Sequence, residues 1–301
     1  MKYVSLVIAL FLFVQCNKEK EEQEEPVVTP AQLKIELEFD STLPRLGNFG
    51  QPVSVGSGNA AQNPRMNAAS LHYIEFAQDS LTPLTTGSVV YTGEETSVGG
   101  GRAIDFDQAI VKSNNSRFVT MDLSQLSPGT YNWLRVSLSY QNYEIDMVYN
   151  NPPLFVNAPF SGTIASFVGF NNYISSLVVK DSTLQVNGNK LQGYWALESS
   201  IFLGGTSYGS VTQGDSSQVT VVNPISSTSP VPAGSCVVTG KLNSPLVITG
   251  NETESVTVVL AFSINNSFEW KEVNMDGKFE PTAGETVEDM GLRGLHPYVR
   301  N

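Results

Sequence analysis

Apolar and polar residues alternate with a period of two along most of the chain. Leu33-Lys34-Ile35-Glu36-Leu37-Glu38-Phe39 sets an apolar side chain at every second position with a charge between, the pattern of a strand buried on one face. Residues 133–140 repeat it, and Leu134, Val136, Leu138 and Tyr140 are predicted to share a face. Leu71-His72-Tyr73-Ile74-Glu75-Phe76 predicts another strand. Further strands are predicted over 88–91, 117–123, 163–170, 176–180, 183–186, 191–198, 218–222, 235–242 and 255–264. Turn signals lie between them at Ser127-Pro128-Gly129, Asn187-Gly188-Asn189 and Thr249-Gly250-Asn251. No stretch of ten residues carries an apolar stripe at helical spacing. The nearest, 104–111, reads equally as a strand or one short turn. The expectation is an all-β fold, an antiparallel β-sandwich over 32–301. Pro152, Pro153 and Pro159 cluster in 151–159, where a seam between two smaller sandwiches would fall. The alternative is one elaborated sandwich in which this cluster and the Pro- and Ser-rich stretch 223–234 are long loops.

The first 31 residues break the pattern. Lys2 precedes an apolar run over 3–14, far shorter than the roughly 20 residues that span a bilayer. A basic start followed by a short apolar segment reads as a signal peptide over 1–15. Phe13-Val14-Gln15-Cys16 resembles the lipobox of bacterial lipoproteins, departing from it at Gln15, where Gly, Ala or Ser is usual. The resemblance implies that Cys16 becomes the first mature residue, with a diacylglycerol on its sulfur and an acyl chain on its amine. Each buried methylene would contribute about 0.8 kcal/mol to anchoring in a lipid membrane. The alternative is a plain signal peptide with an incidental cysteine. Asn17-Lys18-Glu19-Lys20-Glu21-Glu22-Gln23-Glu24-Glu25-Pro26 has no apolar residue and predicts an acidic, disordered tether over 16–31. The Lys and Glu cluster resembles the export signal that carries some lipoproteins to the outer face of the outer membrane. That implies a chain facing the cell exterior, against a periplasm-facing chain with a simple spacer.

Composition narrows the partners. Seventeen basic against 29 acidic residues give a net charge of −12, and only 15% of residues are charged. An acidic chain without a basic patch argues against nucleic acid as a partner. Cys236 is the only other cysteine, so an acylated Cys16 leaves no disulfide within the chain. Its strand-like setting predicts a buried, inert thiol.

One stretch carries metal-ligand spacing. In Glu272-Val273-Asn274-Met275-Asp276-Gly277-Lys278-Phe279-Glu280, oxygen side chains alternate and a glycine stands sixth, as in a loop that wraps Ca²⁺. Glu272, Asn274 and Asp276 take the first, third and fifth places, Lys278 would offer its backbone carbonyl at the seventh, and Glu280 stands ninth. Ala283 at the twelfth place cannot ligate, so the bidentate carboxylate would come from Glu285 or Asp289. The stretch resembles calcium loops of bacterial exported proteins, in which Asp-x-Asn-x-Asn-Gly precedes an aromatic, an acid, Pro and Gly-Glu. The matching residues here are Asn274, Asp276, Gly277, Phe279, Glu280, Pro281, Gly284 and Glu285. Thr282 and Ala283 are extra, and Glu replaces Asp at the first place. The alternative is an acidic turn that binds nothing.

Catalytic signals are sparse. His72 lies in a predicted strand and His296 near the end of the chain. There is no nucleophile-elbow motif and no zinc spacing of His and Cys. Gly99-Gly100-Gly101-Arg102 lacks the lysine of a phosphate-binding loop. A carboxylate pair for glycan hydrolysis is set by the fold and leaves no local trace. Tyr140, Tyr143 and Tyr149, with Asn142, Asn150 and Asn151, could form a sugar-stacking rim or could simply fill the core.

The lipobox, the β-rich body and the end 266–295 (Asn266-Ser267-Phe268-Glu269-Trp270 through Asp289-Met290-Gly291-Leu292-Arg293-Gly294-Leu295) together resemble uncharacterised exported lipoproteins of Gram-negative bacteria. No activity comes with that resemblance. A second resemblance, through 33–39 and 69–76, is to MbnP-like copper-associated β domains, with His72 as the implied ligand. The leading expectation is a non-catalytic envelope lipoprotein that binds a glycan or an envelope protein and is stabilised by calcium. The alternatives are an exported hydrolase acting on glycans and a copper-binding accessory protein.

Overall fold

The computed structural model describes residues 30–203, 205–215 and 223–300. Cys16, the signal segment, all but the end of the expected tether and the strand expected at 218–222 lie outside the described residues. Strands dominate, in the order β1 (Gln32–Asp40), β2 (Asn59–Gln62), β3 (Arg65–Ala77), β4 (Ser88–Thr92), β5 (Glu95–Thr96), β6 (Ala103–Asp105), β7 (Val111–Lys112) and β8 (Ser116–Asp122). The longest, β9 (Gly129–Asn151), is followed by β10 (Phe155–Phe167), β11 (Asn171–Val178), β12 (Thr183–Leu191), β13 (Trp195–Leu203) and β14 (Thr206–Gly214). β15 (Cys236–Ile248), β16 (Val256–Ser263), β17 (Phe268–Lys271), β18 (Val287–Met290) and β19 (Leu295–Arg300) complete the chain. The only helical segments among the described residues are short 3₁₀ turns, one of them at Phe106–Gln108 inside the ambiguous stretch 104–111.

The fold is all-β, with several sheets packed together. An eight-stranded sheet runs β14-β13-β10-β9-β3-β4, with β15 also on β9 and β7 on β3. A four-stranded sheet, β19-β16-β1-β8, packs against it. β1 shows why: Leu33, Ile35, Leu37 and Phe39 are buried and the residues between are not. These side chains meet Val258, Leu260 and Phe262 of β16 and, across the sandwich, Ile74, Phe76, Leu134, Val136, Leu138 and Val238. Each side chain so buried contributes about 1.5–3 kcal/mol. Most pairings are antiparallel. β1 lies parallel to β16, Leu33 opposite Val256, and β6 parallel to β11. A third sheet, β12-β11-β6-β5, covers Tyr140 and Phe167. A fourth, β18-β17-β2, covers Tyr143, Ile145 and Met147.

Tyr140 departs from its expected face. In the pairing of β3 with β9, Ser70 stands opposite Tyr140 but Leu71 opposite Leu138, so Ser139 is an extra residue on β9. A bulge of this kind reverses the alternation beyond it. Leu138 therefore enters the main core while Tyr140 joins the cluster beneath the third sheet.

The polar positions of β9 are also buried. Arg135 and Ser137 have no exposed surface, because the segments around Leu84 and Val231 fold over this face and pack on Tyr73 and Val237. Arg135 faces Glu75 across the β3–β9 pair at 3.8 Å and donates to the carbonyl of Asp79 at 3.1 Å. The proline-rich stretch 151–159 is the turn and first part of a hairpin: β9 and β10 pair on either side of it, Asn151 opposite Phe155.

Candidate functional site

The calcium-like stretch forms the connection between β17 and β18 at one end of the fourth sheet. Met275 and Gly277 have φ of 59° and 72°, and this left-handed backbone makes the sharp turn that the glycine spacing anticipated. The loop turns its glutamates inward. Glu285 is buried and accepts from the amides of Val273 at 3.1 Å and Glu280 at 2.6 Å. Glu280 is buried as well and accepts from the side-chain amide of Asn274. Glu272 accepts from the amide of Gly277 at 3.2 Å, and its other oxygen is buried without a partner. Burial first, then the neighbouring Glu272 carboxylate, pushes the Glu285 acid above the usual carboxylate range, against the pull of the two amides.

Glu272, Asn274, Glu280 and Glu285 are therefore gathered in one turn of chain. Asp276 and Lys278 sit at its outer edge, where Asp276 accepts from the Lys278 amide at 2.9 Å and its carboxylate lies 3.6 Å from the ammonium. Asp289 lies on β18 and pairs with Arg293, outside the loop. The three gathered carboxylates offer oxygens, which suits a hard cation such as Ca²⁺, while Asn274 turns its side-chain N–H to Glu280. They rest on amides and on one another, and no three His, Cys, Asp or Glu side chains among the described residues stand at metal-binding geometry.

The same β17 carries a second acidic centre built differently. Glu269 is buried and accepts from Arg45 at 2.7 Å, the Gly56 amide at 2.8 Å and Asn59 at 2.7 Å. Burial alone would raise its acid, but the bonds from Asn59, Gly56 and Arg45 outweigh burial and hold it below the usual range.

The loop also builds one wall of a groove of about 410 Å³, where Lys278 and Phe279 face Asp146, Met147 and Phe160 of the β9–β10 hairpin over Trp270. A neighbouring cavity of about 250 Å³ shares Met147 and Phe160 and continues past Tyr149 and Phe155 to Ser199 and Ser210. Tyr149, Phe155 and Phe160 meet edge to face, with ring centroids 5.5–5.7 Å apart. Leu154 and Val156 at the hairpin tip are 80% and 65% exposed.

Of the three tyrosines considered for a sugar-stacking rim, only Tyr149 lies in this groove. Tyr140 and Tyr143 are 4% and 1% exposed and occupy separate core clusters, so neither ring can stack on a sugar. Phe155, Phe160, Trp270 and Phe279 were missed as groove residues. The local signal for the first two is an aromatic residue shortly after each proline site of the hairpin, Phe155 after Pro152-Pro153 and Phe160 after Pro159.

His72 is buried, with Nε2 3.0 Å from Glu95. Glu95 in turn accepts from Arg102 at 2.8 Å, and the rings of His72 and Phe170 lie 5.8 Å apart. Burial lowers the His72 pKa, Glu95 opposes the shift and Arg102 adds to it. His296 contacts the carbonyl of Pro44 at 3.0 Å. Cys236 is buried, and burial pushes its thiol up to about 12.

No family model matches the chain, and no curated protein and no solved structure matches it.

Proposed function

We propose that the chain is a membrane-anchored envelope lipoprotein whose β body binds rather than catalyses, and that calcium in the loop 272–286 stabilises one wall of its binding groove. The observation that carries this reading is the continuity of loop and groove. Glu280 and Glu285 fix the backbone whose neighbours Lys278 and Phe279 line the groove. A divalent cation between Glu272, Glu280 and Glu285 would offset the burial and the Glu272 repulsion that raise the Glu285 acid and would pin the loop against β17. Acyl chains on Cys16 would hold the body at the outer membrane, facing the exterior, with a glycan or an envelope protein as its partner.

Equilibrium dialysis of the purified chain against radioactive calcium tests the loop. One ion per chain is expected, lost in Glu285→Gln, and no bound ion at millimolar calcium would sink the metal part of the reading. Fractionation tests the anchor: Cys16→Ser should move the protein from the membrane to the soluble fraction.

A further inference from the structure

We infer that the tip of the β9–β10 hairpin inserts into the surface of a lipid bilayer, a second membrane contact besides the acyl chains of Cys16. This rests on the membrane-anchored reading above but not on the cation in the loop.

The tip stands clear of the body. The pairing of β3 with β9 ends at Arg65 opposite Glu144, and β10 pairs with β13 only from Ser161, opposite Ser200. Beyond those residues β9 and β10 run on as a two-stranded ribbon to the turn between Asn151 and Phe155. A bare ribbon is marginal in water. This one is held by the edge-to-face rings of Tyr149, Phe155 and Phe160. On one edge the Val148 amide donates to the Phe279 carbonyl at 2.8 Å and the Asn150 amide to Thr282 Oγ1 at 3.3 Å. The ribbon is therefore a braced wedge. Ahead of its rings it presents Pro152, Pro153, Leu154 and Val156, all exposed, the last two by 80% and 65%.

The chemistry of the tip selects the partner. From Met147 to Val179 there is no Asp, Glu, Lys or Arg, although 15% of the chain is charged. The exposed positions of 150–159 are filled by Asn, Pro, Leu and Val alone. A protein interface draws its energy from Trp, Tyr and Arg anchors, and Leu and Val are under-represented among them. Hydrocarbon takes aliphatic side chains without shape complementarity and rejects charge. A turn is costly in lipid because its amides go unpaired, and Pro152 and Pro153 have no N–H to leave unpaired. Tyr149 stands farther from the turn, where an amphipathic ring meets the headgroups. The loop tied to the ribbon adds Val273 and Met275, 51% and 80% exposed. A net charge of −12 gives the chain no attraction to anionic headgroups, so the hydrocarbon rather than headgroup charge sets this contact.

The full-length protein with an environment-sensitive fluorophore on Leu154→Cys tests this, using phosphatidylcholine vesicles as the membrane. The same label on Leu81→Cys, an exposed site elsewhere, is the control. Cys236 is buried, and any label on Cys16 is subtracted with the chain that keeps Leu154. Vesicles should shift the emission from position 154 to the blue and expose it to a nitroxide carried in the lipid, while position 81 stays in water. Val156→Asp should lower the ratio of inserted to aqueous probe by about ten-fold or more, at an unchanged melting temperature. A probe at position 154 that stays in water overturns the inference. So does a shift seen with phosphatidylglycerol alone, or one that needs no vesicles and grows with protein concentration, which would mean contact between copies. The measurement is repeated with Cys16→Ser and with chelator. Vesicle flotation that depends on Cys16, with the probe left in water, defeats the tip and keeps the anchor. A shifted probe in the Cys16→Ser chain, or in chelator, upholds the tip whatever becomes of the anchor or the metal.

Discussion

Glu269 and Glu285 are both buried carboxylates at the fourth sheet, yet they sit on opposite sides of the ordinary carboxylate range. Glu269 has a guanidinium, an amide side chain and a backbone N–H within 2.8 Å, and its acid is lowered. Glu285 has two backbone amides and a second carboxylate, and its acid is raised. Glu269 gains a side-chain amide and a guanidinium where Glu285 meets a second carboxylate and no cation. The Glu269 centre is electrically complete and ties the segment 45–59 to β17. The Glu285 centre holds its donors in place and lacks a countercharge from its own loop, since the Lys278 ammonium lies on Asp276.

Breaking the complete centre should have the largest effect. Arg45→Met leaves Glu269 buried without its cation and is expected to cost about 3–5 kcal/mol, measured by urea denaturation. A loss near zero would mean that the Asn59 and Gly56 bonds suffice. Acid should separate the two centres next. Glu269, lowered in the fold, contributes stability that is present above its unfolded value and is lost as pH falls through its folded value. Glu285, raised in the fold, carries a penalty that is full above its folded value and relieved as pH falls toward its unfolded value. Denaturation from pH 7 to pH 3 should therefore show Glu269→Gln abolishing part of the acid loss and Glu285→Gln flattening an opposing gain. The same sign in both variants would contradict the comparison. The smallest effect is expected for Glu285→Gln at neutral pH with chelator present. It removes a repulsion but also weakens two amide bonds, and should change stability by less than about 1 kcal/mol.

The parts of this picture that the sequence reveals are the local ones. The alternation of 33–39 is found side chain by side chain in β1, and the loop 272–286 has its turn at Met275 and Gly277 where the glycine spacing placed it. Relations between distant segments leave no such trace. The parallel pairing of β1 with β16 joins residues more than two hundred positions apart, and β1 alternates identically whichever neighbour it takes. The extra residue at Ser139 is invisible in an unbroken alternation, which is why the sequence predicts Tyr140 on the face of Leu138. Asn187-Gly188-Asn189 signalled a turn but forms a bulge within β12, with Asn187 at φ 48°. The groove is assembled from β2, β9, β10, β13, β14, β17 and the loop after it, so no single stretch announces it.

Thermal melting of the full-length protein, followed by tryptophan fluorescence with calcium and with chelator, tests the account most directly. If the Glu285 centre lacks a countercharge that calcium supplies, saturation about 100-fold above Kd should stabilise the fold by about 2.7 kcal/mol. That corresponds to a rise in Tm of roughly 5 °C, absent in Glu285→Gln and intact in Phe160→Ala. A Tm that is the same in millimolar calcium and in chelator would contradict it.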